Sequence, residues 1–297
     1  MASKQRVICG LSVAAVWLLA IFALPVWALA GLVALSAGVC LFELCAMLKK
    51  AGYGLPFGTL AAATAGWFAL VYAGQMGLCT LGQAGARPAV LAVVCAGLFF
   101  RVLLDARIAR PMETAALTVV SFLYIPFMLS FLLVLAVSGA GDSAARIFLA
   151  FFLVLVTKLC DTGGYFIGSA FGRHKMCPRL SPGKSWEGTA GGYAFSFAAA
   201  AAAVGCAHLF PEAAFLGMLR EATASPAACG WFFLTIGVVV TVGILGDLLE
   251  SLFKRQCGVK DSSALFPAMG GFFDTFDSLI FVPAAYLFMQ TLGACFL

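Results

Sequence analysis

The sequence predicts an all-α, polytopic integral membrane protein of about nine transmembrane helices with a cytoplasmic N-terminus. Three observations predict it. Hydrophobic residues are 63% of the 297-residue chain and charged residues only 10%, against roughly a quarter charged in soluble domains. The apolar residues fall in runs that match the about 20 residues needed to cross a bilayer core. Lysine and arginine gather in alternate connecting segments. With a mean hydropathy of +1.05, the chain has too few charges to cover a water-soluble surface.

The first apolar block, residues 7–48, holds 42 residues. As one helix it would be about 63 Å long, roughly twice the hydrocarbon thickness, so it must fold back. Pro25 is the breaker, which gives spans near 7–24 and 26–48. Further runs lie near 56–75, 88–105, 114–138, 147–170, 187–209, 229–253 and 272–294. The first span begins with basic residues, as a signal peptide would. No A-x-A site separates it from the second, so it is expected to be retained.

A cytoplasmic N-terminus assigns Lys4, Arg6, Lys49, Lys50, Arg101, Arg107, Arg110, Arg173, Lys175, Arg179, Lys184, Lys254, Arg255 and Lys260 to that side. Those 14 face three on the other side, Arg87, Arg146 and Arg220, while Lys158 falls within a span. This is the positive-inside bias. It points to a multi-pass protein of a bacterial inner membrane. The net charge of +5 is modest and gives no cause to invoke nucleic acid. The 11 cysteines scatter singly through apolar stretches without C-x-x-C spacing, as packing residues do.

The two halves differ. In residues 1–140 the spans carry almost no ionisable group except Glu43, and this half is expected to be scaffold. In residues 141–297 they carry Lys158, Asp161, Asp247, Glu250, Asp274 and Asp277. A charged group at a helix centre costs roughly 2.5–3.5 kcal/mol on insertion scales, so this half is expected to hold a polar, catalytic site.

Asp247, Glu250, Ser251 and Lys254 follow i, i+3, i+4, i+7 spacing and share one helix face. Asp274 and Asp277, three apart, share another near the start of the last span. Oxygen ligands without histidine or cysteine suit a hard cation such as magnesium. Gly270 and Gly271 would let backbone approach a phosphate closely. The competing reading is that these acids pair with Lys254, Arg255 and Lys260 as buried ion pairs. A second polar block, residues 161–192, is rich in glycine. It supplies Arg173, Lys175, Arg179 and Lys184 from a basic loop bent by Ser181-Pro182-Gly183, and Ser185 to cap the next helix. A basic loop beside a helix N-terminus makes an anion site. Carboxylates for a metal and cations for phosphates describe phosphoryl or nucleotidyl transfer.

The run Ser251-x-Phe253-Lys254-Arg255, Lys260-Asp261-x-Ser263, Phe266-Pro267 and Gly270-Gly271-Phe272-x-Asp274-x-Phe276-Asp277 resembles the signature of phosphatidate cytidylyltransferases, the CDP-diacylglycerol synthases. The stretch from Ser181 through Lys184, Ser185 and Glu187 to Gly188 resembles the family's second conserved run. Two positions depart: Met269 stands where the family usually has histidine, and Thr275 where it usually has arginine. The resemblance implies cytidylyl transfer from CTP to phosphatidate within the lipid bilayer, giving CDP-diacylglycerol and pyrophosphate. It implies a magnesium site, of one cation or two, held by Asp247, Ser251, Asp274 and Asp277. Lys254 joins these as a catalytic residue. Substrate binding would fall to Arg173, Arg179, Ser181, Lys184, Ser185, Arg255, Lys260, Asp261, Gly270 and Gly271. A homodimer is implied on the same ground alone.

Other classes predict other patterns. A transporter would spread polar residues along a path across the membrane, whereas here they gather in one half. The D-G-x-x-A-R motif of CDP-alcohol phosphotransferases is absent. CTP-dependent polyprenol kinases share part of the signature and are the nearest alternative. The charge partition makes orientation testable: a cysteine placed at Ser181 should be labelled only from the cytoplasmic side. Labelling from outside in sealed cells would overturn the topology.

Overall fold

In a computed structural model, residues 24–137, 143–266 and 270–296 are described, and they are predominantly helical with almost no sheet. Seven helices among them are long and apolar enough to cross a membrane, as expected of a polytopic membrane protein. These seven match expected spans. The expected span 88–105 forms a helix, Arg87–Leu103, of 17 residues, or about 25 Å at 1.5 Å per residue. All of the expected span 7–24 but its last residue, and the family positions Pro267 and Met269, lie outside the described residues. The chain divides into two compact units, Met1–Gly139 with Phe253–Ile280, and Ala140–Leu252 with Phe281–Leu297.

The first unit is built on α1 (Val26–Lys50), α2 (Phe57–Gln75), α3 (Arg87–Leu103) and α4 (Pro111–Val137). Pro25 directly precedes α1, where its missing N–H costs no helical bond. Leu41, Leu44 and Met47 of α1, Leu60 of α2, and Phe122, Ile125 and Leu129 of α4 are fully buried. Trp67 meets Phe122 edge-on with ring centroids 6.1 Å apart. Within α4 the turn Leu123–Phe127 is a π-helix containing Pro126. Proline cannot donate to the i→i−4 ladder, and the wider turn absorbs that break.

In the second unit, α5 (Ser143–Phe171) and α6 (Trp186–Leu209) lie against each other through glycines. A Cβ on Gly163 would stand 2.7 Å from the Gly191 carbonyl oxygen, and one on Gly192 would stand 2.8 Å from the Cys160 sulfur. That spacing lets the buried Ser196 hydroxyl donate to the Val156 carbonyl at 3.0 Å. Phe152, Val156, Ala200, Ile236 and Val240 form the core beside it.

Between α5 and α6 the sequence suggested a basic loop, and the structure forms a bulged antiparallel hairpin, β1 (Lys175–Cys177) with β2 (Ser181–Ser185). Pro182 is tolerated there because a two-stranded sheet has only edge strands. Ser185 caps α6 as expected, accepting from the Gly188 N–H at 3.1 Å. The helix α7 (Gly217–Glu221) carries Arg220, whose guanidinium donates to the carbonyls of Ala207 and Phe210 at the far end of α6. The helix α8 (Pro226–Gln256) begins in this unit, and Trp231 on it donates to the Met289 carbonyl of α10 (Val282–Phe296). A four-residue α9 (Phe273–Phe276) precedes α10 and belongs to the first unit.

The α5–α6 approach makes a stability prediction. Gly163→Ala should destabilise the detergent-solubilised protein by about 1–3 kcal/mol through overpacking. Gly205→Ala, in α6 where an added Cβ meets nothing within 4 Å, should cost no stability. Equal melting temperatures for the two variants would contradict the close approach.

Candidate active site

The signature residues of the first unit begin where α8 ends. Gly258 takes a positive φ of 67°, and its N–H donates to the Arg255 carbonyl while that of Val259 donates to the Lys254 carbonyl. This is a Schellman stop. It turns the chain sharply after Lys254 and Arg255. Past the turn, Phe266 and Gly270 exchange both backbone hydrogen bonds, pinching the chain before α9.

The loop is organised by two carboxylates. Asp274 accepts from the Lys254 ammonium at 2.6 Å through Oδ1. Through Oδ2 it accepts from the Ser262 N–H at 2.9 Å, the Ser262 hydroxyl at 2.8 Å and the Gly271 N–H at 2.7 Å. Both members of the Lys254–Asp274 pair are largely buried, with side chains 13% and 9% exposed, so water screens the attraction little. The second carboxylate is Glu43 of α1, 3% exposed. Its Oε1 accepts from the Ser263 hydroxyl at 2.6 Å and the Phe272 N–H at 3.0 Å. Its Oε2 accepts from the Ser262 hydroxyl at 2.8 Å and the Phe273 N–H at 2.7 Å. Tyr124 closes the apolar side, stacked on Phe253 at 5.4 Å and edge-on to Phe273 at 5.9 Å.

The paired glycines find their reason here. Gly270 has φ 95°, and a Cβ on it would lie 2.6 Å from Asp274 Oδ2. A Cβ on Gly271 would overlap the Ser262 hydroxyl and the Glu43 carboxylate. The close approach that the sequence suggested is therefore made to protein carboxylates. Thr275, which replaces the family's arginine, donates to the Gly271 carbonyl at 3.4 Å. Asp277 is buried, with the Ser278 N–H on its Oδ1. Arg255, Lys260 and Asp261 are exposed. Cys257 is buried and its thiol is pushed up by that burial, as befits a packing residue.

The second unit has its own polar face. Asp247 and Glu250 on α8 place a carboxylate oxygen of each within 4.8 Å of the other. Glu250 is fully buried and Ser251 follows it, also buried. Lys184 of β2 pairs with Asp247 at 2.7 Å and reaches the Ile244 carbonyl at 3.4 Å, which ties the hairpin to α8. Glu187 accepts from the N–H groups of Arg173 and His174 and from the His174 ring, which fixes the entry to the hairpin. Lys158 pairs with Asp161 at 2.9 Å within α5. Arg173 and Arg179 are exposed on or beside the hairpin and Ser181 is half-buried, while Ser185 is spent as the helix cap.

Among the expected site residues, the structure thus brings together Lys254, Asp274, Gly270 and Gly271 in one unit, and Lys184 with Asp247 in the other. Asp247 and Glu250 offer close carboxylate oxygens of the kind a hard divalent cation takes. Asp274 fits that role less well, since both its oxygens already accept from protein donors. The sequence reading missed Glu43 as part of the site. Its only signal was a lone carboxylate in an otherwise apolar span.

Each unit thus sets a lysine against a carboxylate, Lys254 on Asp274 in the first and Lys184 on Asp247 in the second. The chain belongs to the cytidylyltransferase family, which it matches over residues 4–292. It is 37% identical over 155 residues to the phosphatidate cytidylyltransferase of Haemophilus influenzae, covering 52% of this chain and 50% of that one. It is 47% identical over 137 residues to that of Pseudomonas aeruginosa, covering 45% of each. It is 27% identical over 297 residues to that of Mycobacterium tuberculosis H37Rv, covering 93% of this chain and 79% of that one. The matches to the first two span about half the length of those relatives.

The Asp274 network predicts a folding role. Asp274→Asn would point an amide at a donor and leave the Lys254 ammonium without its carboxylate, at a cost of about 3–5 kcal/mol. The loss should appear as a lower melting temperature in detergent, equally with and without magnesium. Wild-type stability would show that this carboxylate does not anchor the loop.

Proposed function

We propose that the protein transfers the cytidylyl group of CTP to phosphatidate, giving CDP-diacylglycerol and pyrophosphate for phospholipid synthesis. Membership of the family supports this, as do the names of the relatives. The observation that carries it is the pairing of phosphate-competent lysines with carboxylates: Lys184 on Asp247 and Lys254 on Asp274. Such pairs hold ammonium groups in fixed positions, where they can meet the oxygens of a triphosphate.

The reaction joins two anions. An oxygen of the phosphatidate phosphate attacks the α-phosphorus of CTP, the bond from that phosphorus to the bridging α–β oxygen breaks, and pyrophosphate leaves. The attacking phosphate is already ionised near neutral pH, so no general base is required. The family resemblance, and not a shared geometry, assigns Lys184, Lys254, Arg255, Lys260, Arg173 and Arg179 to offsetting the charge and orienting the triphosphate. Asp247, Glu250 and Ser251 would hold magnesium, and the signature assigns Asp277 to the same task. Magnesium there would neutralise charge on the phosphoryl oxygens. Asp274 serves this reading by fixing Lys254. The 14-to-3 division of basic residues supports a site open to the cytoplasm. The family resemblance supports a homodimer.

Incubation with α-labelled CTP, phosphatidate and magnesium should give a lipid-soluble cytidine product and release pyrophosphate, and chelation should abolish both. Transfer of only the γ-phosphoryl group to a lipid alcohol would establish a CTP-dependent lipid kinase instead and end this reading.

A further inference from the structure

We propose that Glu43, in the N-terminal half of the chain, is a positioning residue for the nucleotide site: it clamps the signature loop so that Lys254 is held where CTP phosphates bind. The proposal rests on the cytidylyltransferase reading for the identity of the ligand, and on the first unit alone for its geometry.

A glutamate in an apolar helix is costly unless its charge is answered. Glu43 is answered by four hydrogen bonds, two to each oxygen, and every donor lies in the signature loop. Ser262 and Ser263 come from the start of that loop, and the N–H groups of Phe272 and Phe273 from its end. One side chain on α1 therefore closes the loop at both ends. The Ser262 hydroxyl lies 2.8 Å from Glu43 Oε2 and 2.8 Å from Asp274 Oδ2. A hydroxyl has one proton to give, so the two carboxylates share it and their positions are coupled. From Asp274 the coupling passes directly to the Lys254 ammonium. Gly271 fits the same design, since any side chain there would collide with Glu43 and Ser262. An apolar residue at 43 would suit a membrane helix better, so the carboxylate is explained by the loop it holds.

The test uses the full-length protein in detergent with four readouts: CTP KM, phosphatidate KM, calorimetric CTP affinity with magnesium, and amide exchange. Glu43→Gln keeps the side-chain length but turns one acceptor into a donor facing two donors. It should raise CTP KM and Kd about tenfold, the scale of two lost hydrogen bonds at about threefold each, while phosphatidate KM stays within about twofold. Exchange at Phe272 and Phe273 should accelerate. Glu43→Asp, which restores the charge on a shorter arm, should recover part of the CTP affinity. Ser263→Ala removes one of the four bonds and should raise CTP KM roughly threefold; it decides the matter alone if Glu43→Gln does not fold. A folded Glu43→Gln protein with wild-type CTP affinity, or one that loses both substrates equally, overturns the proposal. Wild-type protein that makes no CDP-diacylglycerol overturns the reaction instead, and the exchange and CTP-binding measurements still judge Glu43.

Discussion

The constraint on which this structure depends is the cost of an unanswered charge away from water. Each buried carboxylate must be met by donors, and meeting them shapes the chain around it. Asp274 gathers an ammonium, a hydroxyl and two backbone N–H groups. Glu43 gathers two hydroxyls and two backbone N–H groups. The described residues of the loop between α8 and α9 have little regular structure of their own, so these acceptors replace the ladder that a helix or strand would supply. Its conformation is thus set by two anions more than by apolar packing.

The same constraint separates the carboxylates by use. Asp274 and Glu43 are each engaged by several protein donors. Asp247 and Glu250 stand close together on one helix, an arrangement that repels unless a positive charge relieves it. Lys184 supplies part of that relief at Asp247. Carboxylates that look alike in the sequence therefore differ in what they can bind, and the difference lies in how many donors the local backbone aims at each.

Much of the fold is legible in the sequence because one-dimensional rules govern it. Run length gives the spans, Pro25 gives the start of α1, Ser185 gives the cap of α6, and the spacing of Asp247 and Glu250 gives their shared face. The hairpin at 175–185 is less legible. Its strands are short, contain a proline and a glycine, and lack the alternation that marks a strand. The role of Glu43 was hidden for a different reason. Its partners lie 219 to 230 residues further along the chain, and no periodicity reports contacts at that separation. Gly270 and Gly271 show the intermediate case: the sequence announced a close approach but not what approached.

The departure at Thr275 follows from this picture. An arginine at that position would bring a long cation to a loop whose acceptors at Asp274 and Glu43 are already engaged, so it would have to reach outward. Threonine instead turns its hydroxyl onto the Gly271 carbonyl, within the turn that Asp274 and Glu43 hold from their own sides. Thr275 thus adds one more bond to the turn that the clamp holds. In a loop fixed by hydrogen bonds, that addition further restricts the conformations open to the Asp274–Lys254 pair. On the proposed reaction, Lys254 would meet the triphosphate from a position fixed by Asp274, so the geometry of that ion pair, more than the number of basic residues, would set where the phosphates sit.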